Sequence, residues 1–362
     1  MKKVTLCFST VIHFLVDLSC IYFLSGVLIP MAMNHDEWLR WAVFYNFMAF
    51  AMAAPIGFLA DRLIRRHRLL LSGAGCLLIS GGYFLFRTPY AALVFVGLGN
   101  AMFHVGAGME VLRDARKSYA PPGIFIASGA LGVFLGSSWG TAYIPLWDLF
   151  QIIMAVCGLV LSVWNFILLS ASARQAEPDK SLSAAPQDNL PRDIKKVRLA
   201  VLCISSLFLV VVIRSYYGSI LSYDWKTGFR MGLIFTLCIA AGKALGGVAA
   251  DHLGIHSAIW ISLGLGAASA LFSFQNAVIG CISILLFNMT MPLTLSLLVK
   301  EMPRYPGFAF GFLMLALFLG TLPVTPGGFH AFKSPAGLSI LCLVSLVLLL
   351  AVLRVRKAGD AS

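Results

Sequence analysis

Asp17 lies in the middle of an apolar run, and His13 precedes it by four residues. On a helix that spacing puts both side chains on one face, one turn apart. An imidazole and a carboxyl group held together in a low-dielectric medium can load and release a proton near physiological pH. The same pair could instead be a fixed hydrogen bond that fastens its helix to a neighbour. His104, in a later apolar run, has Asn100 at the same spacing. It could complete a relay with Asp17, hydrogen-bond a ligand, or be a satisfied interhelical histidine.

Arg214 is the candidate for anion binding. It sits in an apolar run and is followed by Tyr216 and Tyr217. Arginine does not shed its proton there, so it needs an anion, and its planar fork fits a carboxylate or phosphonate through two parallel hydrogen bonds. The anion could be a ligand, or a protein carboxylate such as Asp17 or Asp224; the side chain could also reach out to the interface. Lys243 could bind an anion or pair with Asp251. Tyr217, Asn46, Asn100, Asn288 and Thr290 lie at depths where contacts to a bound compound are expected. Glu110 reads as a member of an ion network with Arg113, with a ligand contact as the other reading. The eight cysteines lie singly in apolar runs, with no metal-ligand spacing. They read as small packing residues, and no metal or cofactor is expected.

The elements that must hold these residues follow from composition. Hydrophobic residues make up 59% of the 362-residue chain and charged residues 12%, about half of the roughly 25% usual in soluble domains. Mean hydropathy is +0.89. Charges fall in short clusters between apolar runs of about 20 residues, the length that crosses a hydrocarbon core. This excludes a water-soluble globule and predicts an all-α, multi-pass membrane protein. Spans are expected near 4–29, 38–62, 68–86, 90–113, 122–145 and 148–171, then near 197–222, 229–251, 256–274, 276–299, 306–326 and 335–353. The expectation is therefore 12 transmembrane helices in two pseudo-symmetric six-helix bundles, 1–171 and 197–362, joined by a polar cytoplasmic linker over 172–196. Lys2 and Lys3 before an apolar run imitate a signal peptide, but no small-residue cleavage site follows, and a retained first span is expected.

The net charge of +12 does not point to nucleic acid, because the basic residues sit in turns between spans. Lys2 and Lys3, the Arg62 to Arg68 cluster, Arg113 to Lys117, Arg192 to Arg198, Lys300 with Arg304, and Arg354 to Lys357 all fall on one side of the expected topology. The other side holds only Arg40, Arg87, Lys226, Arg230 and Lys333. The positive-inside rule then places both termini in the cytoplasm. The halves also echo each other. Gly57–Asp61 (GFLAD) recurs as Gly247–Asp251 (GVAAD), Asn100 as Asn288, and Leu131–Gly136 (LGVFLG) as Leu315–Gly320 (LALFLG), which argues for internal duplication.

The stretch Gly57 to Arg68, GFLADRLIRRHR, resembles the cytoplasmic signature of the major facilitator superfamily, with Ile64 where that pattern has glycine. Within the superfamily, His13–Asp17 (HFLVD), Phe103–His104 and Arg214–Tyr217 (RSYY) are similar to stretches of the fosmidomycin-resistance type of exporter. The Gly-Pro pair of antiporters in span 5 is missing, and so is the Arg-centred motif of span 4; Gly129, Gly132, Gly136 and Gly140 carry the spacing alone. The resemblance implies a cytoplasmic latch built from Gly57, Asp61, Arg62, Arg65, Glu110, Arg113 and Asp251, with Asp61 near Arg113 and the start of span 11 around Pro306. Pro323, Pro326, Gly327 and Gly328 would interrupt the far end of that span. It further implies proton-driven export of a small anionic or zwitterionic compound from a bacterial cell by a monomer in the inner membrane, with Asp17, His13 and His104 as the proton site. Proton-coupled uptake is the alternative. No GxxxxGK[S/T], HExxH or GxSxG motif is present, so neither ATP use nor enzymatic catalysis is expected.

Overall fold

The structure, a computed structural model, describes residues 2–114, 118–174, 194–324 and 331–360. Most of the expected linker, together with Arg116, Lys117, Pro326, Gly327 and Gly328, lies outside the described residues. Among the described residues, ten helices are long and apolar enough to cross a bilayer. They are α1 (Lys3–Met31), α2 (His35–Leu63), α4 (Pro89–Arg113), α5 (Ala120–Thr141), α6 (Trp147–Ala171), α7 (Lys196–Ile220), α8 (Gly228–Leu253), α10 (Ala277–Glu301), α11 (Pro306–Val324) and α12 (Pro335–Lys357). Two shorter apolar helices, α3 (Arg68–Phe84) and α9 (Ile255–Ala270), complete the order. Each of these helices lies within a few residues of the position of an expected span. An all-helical chain is what a bilayer imposes, since only helices satisfy every backbone group within one segment.

Local sequence sets the ends and the breaks. Asn34 caps α2 by accepting from Glu37 N at 2.8 Å, while the Glu37 carboxylate accepts from Met33 N at 2.8 Å, a reciprocal capping arrangement. Asn276 caps α10 through Val278 N and Ile279 N. Gly254, at φ +82°, ends α8 in the left-handed region that glycine enters without cost. In α2 a π-turn over Phe47–Ala51 precedes Pro55, whose missing N–H leaves the Ala51 carbonyl without its usual donor. Pro292 does the same to Asn288, and α10 breaks at Met289 between its two helical stretches. A further π-turn, Phe23–Leu28, lies in α1.

The chain forms two compact units: Met1–Arg113 with Leu131–Asp188 and Arg304–Leu315, and Asp114–Ala130 with Asn189–Pro303 and Ala316–Ser362. Helices α5 and α11 each contribute residues to both. In the first unit small residues let helices touch at backbone distance. A Cβ on Gly132 would lie 3.0 Å from Leu18 N and 3.1 Å from Asp17 Cβ; one on Gly136 would lie 3.0 Å from Tyr22 N, and one on Gly140 2.7 Å from Gly26 N. The stripe thus lays α5 along α1. A Cβ on Gly75 would lie 2.5 Å from Gly99 O, so its absence lets α3 pack onto α4. Tyr83 donates to Ser19 O at 2.7 Å, tying α3 to α1. In the second unit Gly242 and Gly246 seat α8 on α10, beside Asn288 and Met289.

Candidate functional site

The stripe on α5 and the Gly75–Gly99 contact hold α1 and α4 at the separation that brings three side chains of the first unit together. His13 Nε2 lies 3.2 Å from Asp17 Oδ2, and His104 Nε2 lies 3.5 Å from Asp17 Oδ1. The two imidazole Nε2 atoms are 2.9 Å apart, with the rings edge to face. His104 Nδ1 lies 2.9 Å from the Asn100 carbonyl oxygen. A carbonyl only accepts, so Nδ1 carries a hydrogen, and Nε2 of the neutral ring is an acceptor. His13 and His104 are both buried, and Phe103 lies against each ring. Asn100 contributes its backbone to this cluster; its own side-chain oxygen is buried and accepts no hydrogen bond. Asn46 turns back on its own helix, donating to Ala42 O at 2.9 Å.

The second unit holds Arg214 and its neighbours. The guanidinium is buried, at 7% exposure, and donates to Thr294 Oγ1 at 3.3 Å. Among the described residues no carboxylate stands at ion-pair distance from it, so neither an Asp224 pair nor another protein counter-ion neutralises it. Burying a full charge without an opposite one is costly unless something supplies that charge. Tyr217, one turn on, is fully buried and stacks on Phe287 at 4.0 Å between centroids. Its hydroxyl neighbours those of Ser283 and Tyr223, and none of the three reaches a hydrogen bond of normal geometry. Thr294, Ser283 and Tyr223 stand beside Arg214 and Tyr217, and sequence reading missed them. Only the helical spacing of Thr290 and Thr294 on a span carrying Asn288 could have pointed to any of them. Asn288 donates to Ile284 O at 2.8 Å, and Lys243 is half-buried on α8, its carbonyl packed against Gly123 at the start of α5.

Two aspartates occupy equivalent places. Asp61 accepts from Gly307 N at 3.0 Å and from Phe308 N at 2.7 Å, at the start of α11. Asp251 accepts from Ser118 Oγ at 2.6 Å, Tyr119 N at 2.7 Å and Ala120 N at 2.9 Å, at the start of α5. In both cases a carboxylate satisfies the first orphan amides of a helix at its positive end. The expected Glu110–Arg113 network forms at 3.6 Å, and Glu110 also takes Arg68 at 3.1 Å. Asp61 meets the start of α11 as expected, while Arg113 turns to Glu110. Of the two readings of Lys243, pairing with Asp251 is not the arrangement found: Asp251 accepts from Ser118 and two backbone amides at the start of α5. Arg62 lies over the Phe58 ring at 4.5 Å, and Arg65 donates to Arg304 O at 2.5 Å. At Gly57 a Cβ would strike the backbone of Gly307.

No family model and no curated protein matches the sequence. Solved structures do match the fold. The chain is similar to a fucose:proton symporter of E. coli at a TM-score of 0.63 and 15% identity, covering 96% of this chain and 98% of that one. It is similar to a major facilitator superfamily transporter, FucP, in an outward conformation, at 0.60 and 16%, over 96% and 99% of the two chains. It also resembles a bacterial homologue of the iron transporter ferroportin in an outward-facing state, at 0.61 and 13%, over 99% and 100%. Apolar helices throughout and this likeness over nearly the whole length make the chain a multi-pass membrane protein with the fold of the major facilitator superfamily transporters.

Proposed function

We propose that the protein is a secondary active transporter that moves a small anionic or zwitterionic organic compound by alternating access, driven by protons and exporting its cargo. The observation that carries this reading is Arg214: a buried guanidinium with a neutral partner, Thr294, and no carboxylate partner among the described residues. An anionic cargo supplies the charge that the protein leaves out, and binds bidentately where Thr294 now makes a single long contact. Tyr217 with Phe287, Asn288 and Lys243 are proposed to shape the rest of the cargo site in the second unit, and Asn46 and Asn100 are proposed as cargo contacts of the first unit. The coupling proton is assigned to the His13–Asp17–His104 cluster, and the two helix-capping aspartates, with Gly57, Arg62, Arg65, Glu110 and Arg113, to a latch whose release opens the cytoplasmic face. Twelve spans, cytoplasmic termini and a monomer in the bacterial inner membrane belong to the same reading.

The test is proton movement in proteoliposomes, read by an enclosed pH dye while fosmidomycin and a panel of small carboxylates and phosphonates are added. Cargo-dependent proton movement by wild type and its absence in Asp17→Asn is the expected result. The sign of the signal separates export by antiport from uptake by symport. Cargo movement that leaves the proton signal flat in wild type refutes proton coupling.

A further inference from the structure

We propose that His13, Asp17 and His104 form a binding site for a divalent transition-metal cation of the zinc, cobalt and iron(II) class. The inference rests on the reading of this cluster as the cation site of the transporter, and adds a second kind of occupant.

Three Lewis bases converge there: a lone pair on His104 Nε2, the Asp17 carboxylate and His13 Nε2. With His104 Nε2 an acceptor, the 2.9 Å contact between the rings is a hydrogen bond donated by His13 Nε2. Ligands 2.0–2.1 Å from a tetrahedral ion lie about 3.3 Å from one another. The cluster shows 2.9, 3.2 and 3.5 Å, and all its ligand atoms fall within 4.8 Å of one another. The 3.2 and 3.5 Å distances reach different oxygens of the Asp17 carboxylate, so a cation can enter once that group rotates to present one oxygen to both imidazoles. The hydrogen on His13 Nε2 moves to Nδ1 as the metal binds, and the ring stays neutral.

The surroundings fit the same role. Donation from His104 Nδ1 to the Asn100 carbonyl fixes the tautomer and aims Nε2 at the centre, the outer support that metal-bound imidazoles require. The histidines are buried on one side, while the Asp17 side chain keeps 15% of its surface exposed, which leaves a route in and an open coordination position. Two neutral imidazoles and one carboxylate suit a borderline cation and disfavour Mg2+ and Ca2+, which take oxygen shells. The site leaves a bound dication with one net positive charge, to be met by water or an anion.

The experiment uses the full chain in detergent with any affinity tag removed, titrated with Co2+ and followed by its visible d–d absorption. One equivalent of Co2+ should develop the bands, Zn2+ should abolish them, and Mg2+ should not. His13→Ala and His104→Gln should each weaken binding at least about tenfold, while Arg214→Ala leaves it unchanged; size-exclusion profiles identify any variant that has not folded. X-ray absorption of the Co2+-loaded wild type needs no variant and should show imidazole scattering. Absence of bands in wild type, equal binding by the histidine variants, or a metal shell without imidazole each overturns the site. Retained cargo-dependent proton movement with no Co2+ binding would sink this inference and leave the transport reading standing; Co2+ binding without transport would do the reverse.

Discussion

At the residue scale, the described residues include a buried group with no carboxylate at ion-pair distance and a buried cluster whose members meet one another. Arg214 is the first. Replacing it with Ala should abolish binding of anionic cargo while improving thermal stability or leaving it unchanged, because an unpaired buried cation is removed. Arg214→Lys should keep the charge, lose the fork geometry, and retain part of the affinity. Tryptophan fluorescence or calorimetry against a carboxylate and a phosphonate would measure both, and wild-type affinity in both variants would make Arg214 a structural residue. The His13–Asp17–His104 cluster is the second. Asp17→Asn preserves its size and its capacity to accept from His13 but removes the negative charge. Folding should survive, judged by monodispersity, while cargo-dependent proton movement is lost.

At the element scale, what matters is how closely the helices approach and what caps them. Asp61 binds two amides at the start of α11, and loss of such a cap costs about 0.5–2 kcal/mol. Asp61→Ala should lower the melting temperature more than Asp61→Asn, which keeps one acceptor, and a melting curve in detergent decides the order. Gly132 sets the helix spacing beside the His13–Asp17–His104 cluster, since its missing side chain lets α5 lie against Asp17 and Leu18. Gly132→Val should push α1 away and weaken both proton coupling and Co2+ binding, although residue 132 touches neither imidazole. Unaltered coupling in that variant would show that the α1–α5 spacing does not govern the cluster.

At the scale of the whole molecule, ten apolar spans and two shorter apolar helices follow the order that composition predicts, and the basic clusters predict their sidedness. A fluorescent protein fused to the carboxyl end should be fluorescent in intact cells, and alkaline phosphatase fused at the same place should be inactive. The opposite pair of results would invert the assigned orientation and with it the meaning of export. The assignment of residues to units depends on three-dimensional packing, and α5 and α11 each contribute to both.

Fold class, the approximate spans and the His13–Asp17 pair were legible in the sequence, because each depends on local chemistry: run length against bilayer thickness, charge placement, and a four-residue helical spacing. The Asp61 cap was legible in position and in its partner, the start of span 11, as was the Glu110–Arg113 contact. The Asp251 cap was legible only in position, from the repeated Gly-x-x-Ala-Asp end, and its partners at the start of α5 were not. The approach of His104 to His13, the neutral surroundings of Arg214 and the gathering of Tyr217, Ser283 and Tyr223 were decided only by tertiary structure. Those contacts join residues dozens of positions apart, and their distances depend on which small residues let two helix backbones touch, a property that no single helix carries in its own pattern.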